Sequence, residues 1–161
     1  MAKLEIDKQD AIRIYPKADE SLKKILISTF GAECFNGDII DRIKSFGDAF
    51  GNADEETQQD YLKAVSGYTT PDRVALEKLK LIAKVLRGKW IPNYNDNTEL
   101  KWNPYLCWSS GSGFVFSSSH FGFTFTFSAV GSRFCFPDKE TSDFFGKQFL
   151  QLHNESLTIK K

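Results

Sequence analysis

The side chains that most often bind metals or act as nucleophiles are few in this 161-residue sequence, and they lie far apart. They are His120 and His153, with Cys34, Cys107 and Cys135, and none has the Cys-x-x-Cys or His-x-x-x-His spacing of a zinc site. There is also no phosphate loop of the Gly-x-x-x-x-Gly-Lys-Ser/Thr type. We therefore predict no catalytic residue, no metal site and no cofactor, and classify the chain as a non-enzyme. The odd number and wide spacing of the cysteines indicate reduced thiols, each a small buried apolar side chain.

Aromatic side chains are the unusual feature of the composition. The sequence contains 15 Phe, and no charged residue occurs between positions 102 and 132. Some aromatic residues and one histidine lie at or near predicted loops and do not follow the strand alternation that is typical of core residues. We predict that they form a contact surface: Trp90, Trp102, Tyr105, Trp108 and His120.

Basic side chains recur along the strongest predicted helix, and one more follows the uncharged stretch. They form a candidate phosphate-binding set: Lys78, Lys80, Lys84, Arg87, Lys89 and Arg133. With a tryptophan stacking on bases, such a set is typical of proteins that bind single-stranded nucleic acid. A solvated helix face is the interpretation that we favour for a charge run. The 21 basic and 21 acidic residues balance, which argues against a general attraction to nucleic acid or acidic lipid.

The first 90 residues predict helices. Asp7 can cap a segment that Pro16 ends, and the residues after Asp19 have apolar side chains at helical spacing as far as Gly31. The clearest helix begins with Thr70 as the N-cap and Pro71 as the first helical residue, and it ends at Gly88.

The uncharged stretch predicts a small antiparallel sheet of about four strands. The strands are 102–108, 114–116, 121–127 and 133–136, with a turn at 117–120 that holds His120. Phe alternates with Gly or Thr in the third strand, so one face of the sheet is rich in Phe. A terminal helix carrying Phe144, Phe145 and Phe149 is expected to cover that face and complete the core. About eight phenyl rings on an exposed sheet face would be costly, because burying each one is worth roughly 1.5–3 kcal/mol.

These elements predict one α+β domain over residues 1–161. Its helical part is 1–90, and the sheet with the terminal helix is 101–155. Charged residues interrupt the first positions of the chain, and no run of 18 apolar residues occurs. We accordingly predict a cytoplasmic protein with no membrane partner.

Several segments resemble one family. The stretch Val130-Gly131-Ser132-Arg133-Phe134-Cys135-Phe136, with Gly146-Lys147-Gln148-Phe149 after it, is similar to the carboxyl-terminal hallmark of small proteins encoded by phages, prophages and mobile elements of gut anaerobic bacteria. Upstream, segments 41–49, 81–83, 88–90 and 110–114 resemble the same family in the same order. The resemblance implies a phage-related accessory or structural protein inside a bacterial host, and it brings no catalytic residues with it.

Three functional hypotheses follow. The favoured one is a non-enzymatic protein that works through protein–protein contacts, with an unknown partner or with a second copy of itself. The alternative is a single-stranded nucleic-acid-binding protein that uses the basic helix and the loop aromatics. The third is an enzyme or small-molecule binder with its pocket beside Trp90, Trp102 or His120.

Overall fold

The computed structural model describes residues 6–67, 70–125 and 131–158. Helices make up the amino-terminal part, a β-hairpin follows, and two helices complete the described chain. In chain order the elements are α1 (Lys8–Ile14), a 3-10 helix (Tyr15–Lys17), α2 (Glu20–Phe30), α3 (Glu33–Asn36), α4 (Ile39–Arg42), α5 (Phe46–Asn52), α6 (Glu55–Val65), α7 (Pro71–Arg87), β1 (Lys101–Ser109), β2 (Gly113–Gly122), a 3-10 helix (Gly131–Phe134), α8 (Lys139–Gln148) and α9 (Leu150–Leu157).

Local capping explains where the amino-terminal helices begin. The side chain of Asp7 accepts a hydrogen bond from Asp10 N, and Asp19 accepts one from Leu22 N, both at 2.8 Å. Ser45 and Asp48 form a reciprocal capping box at the start of α5. Each cap satisfies an amide that the first turn of a helix leaves without a partner. The predicted starts at Asp7 and Asp19 are therefore confirmed.

Helix α7 is the centre of the core. It begins with Pro71 and ends at Gly88, which has a φ of +59°, and it packs against α5, α6 and α9. Thr70 precedes it as predicted, although its side chain makes no capping hydrogen bond. The buried core residues are Ile43, Ala49, Ala53, Leu79, Leu81, Ile82, Ala83, Leu86, Phe136, Phe145 and Phe149.

The described sheet has two strands and not about four, although the α+β class is confirmed. Strands β1 and β2 pair antiparallel from Lys101 opposite Gly122 to Ser109 opposite Gly113, with an irregularity between Tyr105 and Leu106. One further residue, Phe136, forms a bridge to the other edge of β1. Its amide donates to Trp102 O at 2.8 Å, and its carbonyl accepts from Trp102 N at 2.9 Å.

The prediction of a turn at 117–120 is wrong, because this serine-rich segment is the middle of β2. Its polar side chains find partners in the fold. Ser119 is buried, and its hydroxyl donates to Ser142 Oγ of α8 at 2.8 Å. A serine run that suggests a turn when read locally is thus stable in a strand once a helix packs on it.

The predicted strand at 121–127 is confirmed at 121–122, which are the end of β2, and is wrong at 123–125. The strand ends at Gly122, and the chain bends back at 123–124. A Cβ at position 122 would lie only 2.8 Å from the carbonyl oxygen of Phe125, so the glycine permits this close return. Positions 126 and 127 lie outside the described residues.

The strand predicted at 133–136 is also wrong, because residues 131–134 form a 3-10 helix. Arg87 at the end of α7 accounts for this, since its Nη1 donates to the carbonyl oxygens of Ser132 and Arg133. Those two carbonyls therefore bond a side chain and not a neighbouring strand.

The terminal helix is divided into α8 and α9 at Phe149, whose φ and ψ are −106° and 25°. Phe145 and Phe149 are buried, as predicted for this segment. The prediction that the row of Phe on the third strand forms the core is wrong for Phe121 and Phe125, which are 46% and 57% exposed. Core phenyl rings come instead from Phe136 and the two terminal helices.

Candidate functional site

Four aromatic residues lie at the open end of the hairpin, and we call them the open-end cluster (Trp102, Phe121, Phe123 and Phe125). The centroids of Trp102 and Phe121 are 4.9 Å apart, and those of Phe121 and Phe123 are 5.7 Å apart. Trp102 and Phe121 face each other across the two strands. The Phe125 ring lies over Gly122, within 3.2 Å of where a Cβ would stand.

Trp108 lies at the turn end of the same hairpin. It is 61% exposed, and its ring makes an edge contact with Phe114, with centroids 5.3 Å apart. Six residues of strand separate it from Trp102, which corresponds to about 20 Å. Helix α8 packs on the strands between the two, where Gly146 meets Pro104 and Phe116.

Tyr105 and His120 form a separate pair. Their rings make an edge contact with centroids 4.9 Å apart, and both side chains are exposed. The Ser118 hydroxyl lies 2.9 Å from His120 Nε2. Because side chains alternate along a strand, Tyr105 points to the opposite face from its neighbour Pro104, on which α8 packs.

Trp90 is held by the loop that enters the hairpin. Its Nε1 donates to Glu99 Oε1 at 3.1 Å, while Glu99 Oε2 accepts from Asn93 N at 2.7 Å. The hydrogen bond from Asn93 and the contact with Lys101 hold the pKa of Glu99 below its usual value. Trp90 therefore has a local partner for its only polar atom.

The buried side chain of Lys101 contacts the same loop at Glu99. It is 1% exposed, and its Nζ lies 3.0 Å from both the carbonyl oxygen and the Oε2 of Glu99. The ammonium also lies 5.3 Å from the centre of the Tyr94 ring. A buried lysine of this kind was absent from our expectations. In the sequence, the one indication of this burial is that Lys101 is the last charged residue before the uncharged stretch.

The predicted contact surface is thus not one surface. Tyr105 contacts His120, Trp102 belongs to the open-end cluster, Trp108 lies at the turn end and Trp90 faces Glu99. The sequence showed that these residues were close to loops, but the strand pairing determines which of them lie together.

The basic candidates are also dispersed. At 100° per residue, Lys78 lies about 120–180° around α7 from Lys80, Lys84 and Arg87. Its ammonium sits 5.3 Å from the centre of the Phe46 ring. Lys80 pairs with Glu77, and Arg87 bonds the carbonyls of 132 and 133. Only Lys84, Lys89 and Arg133 of this set have side chains that are simply exposed.

The surroundings of Cys135 disfavour a nucleophilic role for this thiol. Cys135 is fully buried, with its Sγ 3.3 Å from Ser132 O and 3.8 Å from the Tyr94 hydroxyl. Burial raises the pKa of this thiol, which disfavours the reactive thiolate. The described residues also contain no group of three or more His, Cys, Asp or Glu that could hold a metal ion.

Five clefts of the described structure are lined by residues of the helical part, between Ile6 and Lys89. The small-molecule site beside Trp90, Trp102 or His120 gains no support from them. Within the described ranges, no helix is both long and apolar enough to cross a membrane. Comparison of the chain with protein-family models, with curated proteins and with solved structures finds no match in any of the three.

Proposed function

We propose that this chain is a non-enzymatic binding protein that recognises a partner protein through the open-end cluster. One observation carries the proposal: aromatic side chains are concentrated at one end of the hairpin, where Phe121 contacts both Trp102 and Phe123, and Phe121 and the nearby Phe125 are about half exposed. Aromatic residues are enriched in the buried centres of protein interfaces. Contiguous exposed apolar surface of this kind is uncommon unless it binds something.

The position of the cluster favours a protein partner over nucleic acid. A base-stacking platform needs cations that follow the phosphate backbone. The open-end cluster lies within the uncharged stretch, and Arg87 and Lys80 are already engaged elsewhere in the fold. Single-stranded nucleic-acid binding therefore stays the second hypothesis. It predicts that a labelled oligonucleotide binds at low salt and dissociates as salt rises.

The setting that the resemblance implies is part of the proposal. A phage- or prophage-related accessory or structural protein inside a bacterial host acts by assembling with other proteins. An exposed aromatic cluster on a hairpin is suited to that role. Self-association through the same cluster is the simplest form of such a contact.

Photo-crosslinking tests the proposal directly. A photoreactive phenylalanine is placed at Phe121 or Phe125, and a matched probe replaces Leu62, which is also exposed but lies on α6. We expect one discrete product in host lysate from positions 121 and 125 and none of the same mass from position 62. A product of twice the chain mass would identify a second copy as the partner. Identical products from all three positions, or no product at all, would contradict the proposal.

A pair of variants separates the two aromatic groups of the hairpin. With the photoreactive residue at Phe123, which contacts Phe121, Phe121→Ser with Phe125→Ser should abolish the cross-linked product, because the rings that would be buried are gone. Trp108→Ser removes an equally exposed aromatic at the other end and should leave capture unchanged. Equal loss in both variants would show that the cluster is not the specific contact.

A further inference from the structure

A cationic cleft lies on the helical part, where α1, the 3-10 turn after it, α4, α5 and the carboxyl end of α7 meet. Its volume is about 380 Å³, within the range of small-molecule sites. Apolar walls come from Ile12, Pro16, Ile39 and Val85. Its charged lining residues are Arg13, Lys17, Arg42, Lys84 and Lys89, with Asp54 as the one acidic residue.

The excess of positive charge in the cleft is not a consequence of composition, because the chain as a whole has a net charge of zero. Arg13 pairs with Asp10 at 2.8 Å and is partly neutralised. Among the described residues, Lys17, Lys84 and Lys89 form no ion pair within 4 Å, and Asp54 interacts with Lys17 and Lys84 only at longer range. Lysines near the carboxyl end of α7 complement the helix dipole. That effect does not account for Lys17 or Arg42, which come from other elements.

Arg42 provides an unused hydrogen-bond donor at this site. Its Nη1 donates to Asn52 Oδ1 at 3.2 Å, but its Nε is buried and has no hydrogen-bond partner. Most buried polar groups in native proteins are hydrogen-bonded, so this enclosed N–H is an exception, and rotation of the guanidinium towards the cleft would give it an acceptor. A phosphate oxygen is a suitable one, because guanidinium–phosphate hydrogen bonds are charge-assisted and short.

We propose that the cationic cleft binds a small organic phosphate. The phosphate group would contact Arg42, Lys84 and Lys89, and the apolar body of the ligand would lie against Ile12, Ile39 and Val85. A doubly charged phosphate monoester matches several unpaired cations better than a singly charged carboxylate does. The cleft is built from other elements than the open-end cluster, so either proposal can fail without the other.

Calorimetry on the full chain tests the ligand class. Phenyl phosphate is the probe. Benzoate lacks its phosphate group and inorganic phosphate lacks its apolar ring, so these two serve as comparison ligands. We expect one site for phenyl phosphate with a Kd below about 1 mM at low salt, and at least about tenfold weaker binding of each comparison ligand. Affinity should fall as salt screens the lysines. No binding of phenyl phosphate, or equal binding of benzoate, would overturn the proposal.

Charge-matched variants localise the site. Lys84→Gln with Lys89→Gln removes two exposed cations of the cleft and should weaken phenyl phosphate at least about tenfold. Lys24→Gln with Lys63→Gln removes the same charge from exposed positions on α2 and α6 and should leave the Kd within about twofold. If both double variants weakened the binding of phenyl phosphate equally, the effect would come from the net charge of the protein, and the proposed site would be refuted.

A spectroscopic signal reports on Arg42 itself without altering the fold. The ¹H–¹⁵N resonance of its Nε–H should shift on addition of phenyl phosphate, because that donor gains an acceptor. An unshifted Arg42 Nε–H at saturation would contradict the proposed contact. Binding confined to a single-stranded oligonucleotide, with phenyl phosphate inactive, would also overturn the assignment of a small ligand.

Discussion

The side-chain amide of Asn154 forms both of the hydrogen bonds that a neighbouring strand would form with Phe114. Its Oδ1 accepts from Phe114 N and its Nδ2 donates to Phe114 O, each at 2.7 Å. A residue of α9 thereby occupies part of the outer edge of β2. Unpaired strand edges promote association with other chains, so this contact also protects the hairpin.

Asn154→Ala should destabilise the protein by about 2–3 kcal/mol, because it removes two hydrogen bonds and leaves a partly buried amide and carbonyl without partners. Urea denaturation measures the change, and light scattering should show increased self-association through the freed edge. Asn97→Ala, at an exposed loop position, is the control and should change stability by less than about 0.5 kcal/mol. Equal stability of the two variants would contradict this role for Asn154.

The two glycines of the hairpin turn should differ in their tolerance of alanine. Gly111 and Gly113 have φ of +86° and +77°, so alanine at either position costs about 1–2 kcal/mol in backbone strain. A Cβ at Gly113 would also lie 2.5 Å from Asn154 Oδ1, whereas one at Gly111 would meet open space. Gly113→Ala should therefore be the more destabilising variant in thermal denaturation.

A double-mutant cycle identifies the cause of that difference. In the Asn154→Ala background the clash is absent, so Gly113→Ala and Gly111→Ala should cost the same free energy of unfolding. A difference that persists in this background would show that the contact with Asn154 is not responsible.

Gly146→Ala should loosen the packing of α8 on the hairpin. The added Cβ would lie 2.5 Å from Phe116 Cδ2 and 2.9 Å from Pro104 Cβ, both in the sheet. We expect a loss of about 1–3 kcal/mol in the free energy of unfolding, the usual cost of overpacking. Gly47→Ala is the matched control in α5, because its Cβ would meet nothing closer than 3.6 Å. It should be neutral or stabilise the helix by up to about 1 kcal/mol, and the same sign for both variants would refute the packing argument.

His153 should make the fold sensitive to acid. It is 5% exposed between Phe134 and Phe145, and its Nε2 is buried without a hydrogen-bond partner. Burial lowers its pKa from 6.5 to about 4. As the pH falls, His153 is protonated in the unfolded chain before it is protonated in the folded protein. The contribution of its neutral form to the free energy of unfolding is therefore fully present above pH 6.5 and is lost as the pH falls towards 4. The loss is about 3 kcal/mol.

Urea denaturation at a series of pH values measures this loss. His153→Leu should remove the part of the pH dependence that lies between 6.5 and 4, while His120→Gln, at an exposed position, should retain it. Carboxylates with lowered pKa values, such as Asp143, add a further loss at lower pH in all three proteins. An unchanged pH profile for His153→Leu would contradict the assignment.

Helix boundaries were predictable because their signals are local. Thr70-Pro71 marks the start of α7 and Gly88 its end, and Asp7, Asp19 and Ser45 cap their own helices. Asp7, Asp19 and Ser45 each bond an amide three residues away, so the whole interaction lies within one helical turn.

The strands were less predictable because their partners are distant. The alternation of Phe with Gly and Thr after position 121 suggested a strand, but Gly122 instead permits the chain to fold back onto Phe125. The serine-rich segment suggested a turn, but Ser142 of α8 supplies a buried partner for Ser119, 23 residues away.

The sequence by itself determined the helical amino-terminal part, its capping residues and the concentration of aromatics in an uncharged stretch. Only the tertiary structure decided which rings are buried and which charges are free. Phe136, Phe145 and Phe149 enter the core while Phe121 and Phe125 stay exposed. Arg87 is engaged by carbonyls 45 and 46 residues away, whereas Lys84 and Lys89 remain available to the cationic cleft. The reason is that burial and pairing depend on contacts between distant segments, which composition and periodicity do not specify.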